Sequence, residues 1–267
     1  MNPVDVNHGD GPVVLGQPHG GMFVPEDIAA RLNDNGLALA DTDWHITRLY
    51  EGLCPGASVV KANFHRYVID ANRGPDDASL YPGQNTTGLV PTTDFDGRPI
   101  WKDGEEPDAA DIASRLAAWH KPYHAALEAE IARVKASHGY AVLFDCHSIR
   151  SYIPFLFEGK LPDFNIGTNN GVTCDPVIER VTVEACAASS FAHVLNGRFK
   201  GGWTTRHYGI PAKGVHAIQM EIAQARYMDE QAPWTYREER ADQTRAVLAS
   251  LFAKLDQLAP SLSGASS

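Results

Sequence analysis

Two histidines in this chain each follow a short apolar run and enter a segment rich in glycine or charge. They are His19 in Pro18-His19-Gly20-Gly21 and His147 in Asp145-Cys146-His147-Ser148. Such residues suit a catalytic zinc, which takes three protein ligands and keeps a fourth position for water. The competing reading of each is an imidazole that only hydrogen-bonds a backbone carbonyl. Gly20-Gly21 favours a site, because glycine lets the chain turn tightly and leaves space beside the ring. Asp145 could fix ligand geometry from behind. A third signal is Glu221, set inside the apolar run Ala217-Ile218-Gln219-Met220-Glu221-Ile222-Ala223. A carboxylate there is costly unless it is paired or functional. Either it forms a structural salt bridge to an arginine, or a raised pKa fits it to take a proton from a metal-activated water.

A basic constellation accompanies these groups. Arg66 opens an apolar segment, Asn72-Arg73 follows its end, and Arg206 lies in the glycine-flanked stretch from Gly201 to Gly209. The planar fork of arginine suits bidentate binding of carboxylates. Singly, each reads as a surface ion pair; converging beside the histidines and Glu221, they would make a pocket for a small anion. His120 and His124 share one helical face and could also meet a metal. Pro122 between them and their polar surroundings make them surface or boundary residues instead. Cys146 beside His147 suggests a thiol dyad, but neighbours on a strand point to opposite faces, so Cys146 is read as core. The sequence has no GxSxG elbow, P-loop, GxGxxG or HExxH, so the common nucleophile, nucleotide and thermolysin-type signatures fail.

The elements that must position these residues alternate in type. Strands are expected at Val13–Gly16, Ala57–Lys61, Arg66–Ile69, Tyr140–Phe144, His193–Leu195 and His216–Ile222. Helices are expected from Val24 to about Asn33, over Asp41–Leu53, over Asp108–Ser137 with a kink or break at Pro122, over Pro176–Ala188, and from Tyr236 to Leu258. Ala71–Pro107 is rich in Gly, Pro, Asp and Thr and reads as a long functional loop. The alternation predicts one α/β domain, residues 1–259, with a central mixed, largely parallel sheet flanked by helices and a tail at 260–267. In such sheets chemistry sits just past the carboxyl ends of the strands. The expected loci are Pro18–Gly21, Asp145–Ser148 and Gln219–Glu221.

Composition narrows the function classes. The chain has 267 residues, 23 Lys+Arg against 33 Asp+Glu, and a net charge of −10. That acidity argues against nucleic acid, which needs clustered basic residues. The four cysteines (Cys54, Cys146, Cys174, Cys186) are scattered, as in a reducing cytoplasm. The first residues show no basic region followed by an apolar stretch, so no secretory signal is expected. No apolar run approaches the roughly 18 residues of a membrane span. The expected protein is cytoplasmic and acts on a small anionic molecule, without nucleic-acid or membrane partners.

The ordered motifs resemble those of the N-formylglutamate amidohydrolases from about Val13 to Leu258. They are Pro18-His19-Gly20-Gly21, Asp43 with Leu49-Tyr50, Tyr67-Val68-Ile69-Asp70-Ala71-Asn72-Arg73, Leu80-Tyr81-Pro82, Asp145-Cys146-His147-Ser148, Gly202–Gly209 and Gln219-Met220-Glu221. Gln17 stands where serine often precedes the first motif, and Trp203 where tyrosine is common. The resemblance implies a fold like that of the zinc carboxypeptidases (phosphorylase/hydrolase-like) and hydrolysis of N-formyl-L-glutamate to glutamate and formate, the last step of a histidine degradation route. It implies one divalent metal ion, zinc by preference, on His19, Asp43 and His147. Asp41 is the fallback acid, because Met22 occupies the usual carboxylate position. Glu221 becomes the base and Arg66 polarises the scissile carbonyl, while Asn72, Arg73, Thr205 and Arg206 hold the substrate carboxylates. Two alternatives stay open: a metal hydrolase of different acyl specificity, and a non-catalytic carboxylate-binding module.

Overall fold

The computed structural model describes Met1–Leu258; the expected tail at 260–267 lies outside those residues. Among the described residues the strands are β1 (Val4–Asn7), β2 (Val13–Gln17), β3 (Ser58–Ala62), β4 (Ala141–Ile149), β5 (Phe164–Gly167), β6 (His193–Leu195) and β7 (Val215–Ala223). The α-helices are α1 (Glu26–Ala29), α2 (Asp34–Leu37), α3 (Ile46–Tyr50), α4 (Ala109–Arg115), α5 (Lys121–His138), α6 (Pro176–Ala187), α7 (Trp203–Tyr208) and α8 (Glu238–Gln257). The strands form one sheet in the order β1-β3-β2-β4-β7-β5-β6. β1 runs antiparallel to β3 and β5 antiparallel to β7, and the remaining neighbours are parallel. This is the mixed, largely parallel sheet expected.

Period-two alternation divides the central strands between two cores. Val142, Phe144 and Cys146 of β4, with Ile218 and Met220 of β7, pack against Tyr50, Ile178, Leu248 and Phe252 from α3, α6 and α8. Ala141, Leu143 and Ala217 face the other way, against Tyr123, Leu127 and Ile131 of α5. Each large side chain buried this way contributes roughly 1.5–3 kcal/mol. Asp145, His147, Gln219 and Glu221 continue the α5-facing set towards the strand ends. They therefore lie within β4 and β7 rather than in loops after them.

Four of the expected elements take another form. The helix expected from Val24 to Asn33 is only α1; the Asn33 side chain accepts the Gly36 N–H and starts α2 instead. The helix expected over Asp41–Leu53 is only α3, preceded by His45 at φ 59°. Residues 41–45 stay irregular because the buried Asp41 and Asp43 carboxylates find partners outside any helix. Arg66–Ile69 is no strand but a succession of turns, although Tyr67, Val68 and Ile69 are fully buried.

The fourth departure explains the third. Of the kink or break expected at Pro122 the break is absent, because Leu116–His120 forms a π-helical turn that joins α4 to α5. The Lys121 N–H reaches back to Leu116 O, and the widened turn accommodates the proline that follows. The same turn brings Arg115, His120 and His124 into one row. Arg115 Nη1 donates to Tyr67 O (3.3 Å) and Val68 O (3.0 Å), His120 Nε2 bonds Arg73 O (2.9 Å), and His124 Nε2 bonds Ala71 O (2.8 Å). His120 and His124 are thus buried, at 3% and 8% exposure, rather than surface residues. A buried segment with no ladder must find partners for its carbonyls elsewhere, and this row supplies them.

Near the other end of α5, Glu130 (2% exposed) fastens the helix to the sheet edge. It pairs with Arg133 and with His8 Nδ1 (2.7 Å), and Arg133 also reaches Gly9 O (2.7 Å) and Ser58 Oγ (3.1 Å). Burial would raise the Glu130 pKa, but hydrogen bonds from Arg133, Ser58 and His8 outweigh it and bring it to about 2. A depressed pKa stabilises the fold above the unfolded-state value and loses that contribution as pH falls towards the folded one. Glu130→Gln should therefore lower stability at pH 7 by roughly 1 kcal/mol, a figure discounted for solvent screening. Urea unfolding of both proteins should show the gap narrowing as pH falls from about 5 towards 3. A gap independent of pH would refute the assignment.

Candidate active site

The sequence distance between His19, Asp43 and His147 is closed by the sheet. β2 and β4 are parallel neighbours, so His19, just past β2, lies beside His147 on β4, with ring centroids 5.0 Å apart. The turn that carries His19 fits only because Gly21 lacks a side chain. A Cβ there would meet Asn63 C at 2.5 Å and Phe64 O at 2.6 Å. Asp43 is drawn in by its own backbone, whose N–H donates to His19 O at 3.0 Å.

The three side chains are buried, and each offers a ligand atom within 4.8 Å of the others. Nε2 of each histidine faces a buried carboxylate: Asp70 Oδ1 at 2.7 Å from His19, and Asp145 Oδ1 at 3.0 Å from His147. Nδ1 of each turns to Asp43 Oδ2, at 3.9 Å from His19 and 3.4 Å from His147. At His19 the Asp70 carboxylate favours protonation of Nε2 and leaves Nδ1 as a lone-pair donor, while His147 Nε2 also meets the Asn72 amide at 3.1 Å. His19 Nδ1 is buried without a hydrogen-bond partner. Two imidazoles and a carboxylate, with an orphaned nitrogen among them, fit a divalent cation of the zinc type. Asp41 is engaged elsewhere, accepting from Tyr67 Oη (2.7 Å) and the Phe95 N–H (2.9 Å). The acid beside the histidines is Asp43.

Charge is balanced locally. Arg66 Nη2 donates to Asp43 Oδ1 at 2.7 Å, and the Ser148 N–H reaches Asp43 Oδ2 at 3.1 Å. Burial would raise the Asp43 carboxyl, but Arg66 and the two histidines outweigh it and hold the pKa below its usual value. Burial, with Arg66 nearby, pushes His19 down and so favours its neutral form. Glu221 stands next to His147 in the β4–β7 register. Burial pushes its pKa up to about 8. Its Oε2 accepts from the amide of Gln219 at 3.2 Å rather than from an arginine, which removes the salt-bridge reading of this residue.

A cleft opens onto these groups, lined by His19, His147, Gln219 and Glu221 with Arg66, Asn72, Arg73 and Arg198. Asn72 and Arg73 extend from the buried turn held by the α4–α5 row. Asn72 packs on Gly202, where a Cβ would come within 2.3 Å of its amide, and its Oδ1 accepts the Thr204 N–H at 2.9 Å. Thr205 and Arg206 are not among the lining residues. Thr205 Oγ1 donates to Asp145 Oδ2 (2.9 Å), and Arg206 Nε to Gly201 O (2.9 Å). Cys146 faces the opposite core, where burial raises its thiol pKa well above the usual value; it forms no dyad with His147. Sequence reasoning missed Asp70, although it stands within the quoted Tyr67–Arg73 motif. It also missed Arg198, which no local pattern marks.

A model of the N-formylglutamate amidohydrolase family matches residues 11–228. The N-formylglutamate deformylase of Pseudomonas aeruginosa PAO1 is 50% identical over 246 residues, covering 91% of this chain and 92% of the relative. That of Pseudomonas putida is 49% identical over the same shares. The crystal structure of an N-formylglutamate amidohydrolase from Ralstonia eutropha JMP134 superposes with a TM-score of 0.83 at 24% identity, over 98% of this chain and 99% of that one. A gene product of Agrobacterium tumefaciens has the same fold, with a TM-score of 0.73 at 19% identity over 97% and 96% of the two chains. With a family match over most of its length and close relatives at half identity, the chain belongs to the N-formylglutamate amidohydrolases.

Proposed function

We propose that this protein hydrolyses N-formyl-L-glutamate to L-glutamate and formate in the cytoplasm, as the last step of a histidine degradation route. The observation that carries the reading is the pair of buried histidines turning Nδ1 onto Asp43 beside Glu221, at the base of a cleft with three arginines. The names of the relatives at about half identity support the substrate.

His19, Asp43 and His147 would hold one divalent ion, zinc by preference. Bound there, the ion would supply an acidified water and an electrophilic pole for the formyl oxygen. Glu221 accepts the proton of the attacking water and passes it to the departing amine nitrogen, a transfer its raised pKa suits. The Gln219 amide holds the carboxylate in place for both transfers. Arg66 lines the cleft, and its buried Nε has no hydrogen-bond partner. Its guanidinium, anchored through Nη2 by Asp43, stabilises the developing oxyanion. Asn72 and Arg73 receive the α-carboxylate at the cleft wall. Thr205 and Arg206 act from behind, through Asp145 and the Gly201 carbonyl. The partner throughout is a small anionic substrate; among the described residues no helix is long and apolar enough to cross a membrane.

Two experiments test this. Glu221→Gln should lower kcat for formate release on the order of 10²- to 10⁴-fold while metal content measured by elemental analysis stays near that of the wild type. Retained activity would exclude Glu221 as the base. Chelation should abolish formate release and lower Tm, and added zinc should restore both. Asp43→Asn should lose the metal and the Tm response to chelator together. Full activity in protein shown to be free of divalent metal would overturn the metal assignment.

A further inference from the structure

Charge compensation sorts the arginines of the cleft. Arg66 is paired with Asp43 at 2.7 Å, and Arg73 Nη1 faces Asp70 Oδ2 at 3.9 Å. Arg198 differs. Among the described residues its hydrogen-bond partners are neutral carbonyls, Leu156 O for Nε (3.0 Å) and Asn85 O for Nη2 (2.9 Å). Nη1 is buried with no partner. The rings of Tyr81 and Phe199 lie against the fork, with centroids 5.1 and 5.3 Å from the guanidinium carbon. Burial holds the Arg198 pKa below its usual value, and among the described residues no ion pair offsets that cost. A buried donor on a cation left without an acceptor is an unusual state, and it is relieved by an anion entering the cleft.

A dicarboxylate brings two anionic ends. Asn72 and Arg73 would take one of them, on the same side as the candidate metal ligands. Arg206 is turned to the Gly201 carbonyl and the Tyr81 ring, which leaves Arg198 for the other. Resting on the N-formylglutamate reading above, we propose that Arg198 is the receptor for the side-chain carboxylate of the substrate and sets the preference for an acidic over an amide side chain. The two carbonyl bonds fix the plane of the fork, so the side chain needs little further ordering to receive a carboxylate.

The test compares kcat/KM for N-formyl-L-glutamate and N-formyl-L-glutamine in the metal-loaded wild type, Arg198→Gln and Arg198→Lys. In Arg198→Gln the glutamate-to-glutamine ratio should fall roughly 10- to 100-fold, carried by KM, as expected for loss of a charged hydrogen bond. Arg198→Lys should lie between, because the ammonium keeps the charge and loses the fork. Equal falls on both substrates would overturn the proposal and leave Arg198 as a clamp between two loops. Should Arg198→Gln fail to fold by circular dichroism, Arg198→Lys and the wild-type preference decide. A wild type that cleaves both substrates equally well overturns the proposal and leaves the deformylase reading standing. A wild type that releases no formate from N-formylglutamate overturns that reading as well.

Discussion

Burying carboxylates side by side is the constraint around which this molecule is organised. Asp43, Asp70, Asp145 and Glu221 gather at the end of the sheet, where each isolated charge would cost several kcal/mol. Asp70 is offset by His19 and the Asn72 N–H, Asp43 by Arg66 and the Ser148 N–H, and Asp145 by His147 and Thr205. Glu221 has a weaker arrangement, a single amide from Gln219, and its pKa rises accordingly. Asp43 and Asp70 are held below the usual carboxylate pKa, whereas the poorly compensated Glu221 is pushed above it. Much of the irregular backbone follows from the same demand. The turns of residues 65–73 exist to bring Arg66, Asp70 and Asn72 to that point, and the row on α4–α5 exists to satisfy the carbonyls those turns expose.

The sequence made the centre of the site legible and its surroundings less so. His19, His147 and Glu221 stood out because polar groups sitting in or beside apolar runs are rarely accidental. Asp43 became legible only through family resemblance, since its approach depends on a bond from its own backbone to His19 O. Tyr67-Val68-Ile69 looked like a strand because an apolar run reports burial and does not say whether a ladder or distant side chains satisfy the backbone. Those side chains come from Arg115, His120 and His124, tens of residues away. Pro122 was legible as an interruption of the helix but not the form it takes, because a π turn is a tertiary solution that no local propensity encodes. Arg198 was illegible because its meaning lies in what it lacks, a carboxylate partner.

Electrostatics reconcile an acidic chain with an anionic substrate. The net charge of −10 acts through solvent and is screened beyond about 8–10 Å at physiological salt. Arg66, Arg73 and Arg198 line the cleft itself, within that screening distance of anything bound there. The global sign therefore governs solubility and the earliest approach, while the local sign governs capture.

The π turn between α4 and α5 has a consequence for how this helix can vary in length. With every residue kept but the helix wound uniformly as α, the segment before the turn would rotate by roughly 100° relative to Tyr123, Leu127 and Ile131. Arg115 would then leave the row it shares with His120 and His124, and the carbonyls of Tyr67 and Val68 would lose their donor. The wide turn absorbs that extra residue and keeps both segments in phase. Loss of one residue from Leu116–His120 would therefore be tolerated, leaving a uniform helix with Arg115 and the core residues still in place, whereas a deletion elsewhere along it would not.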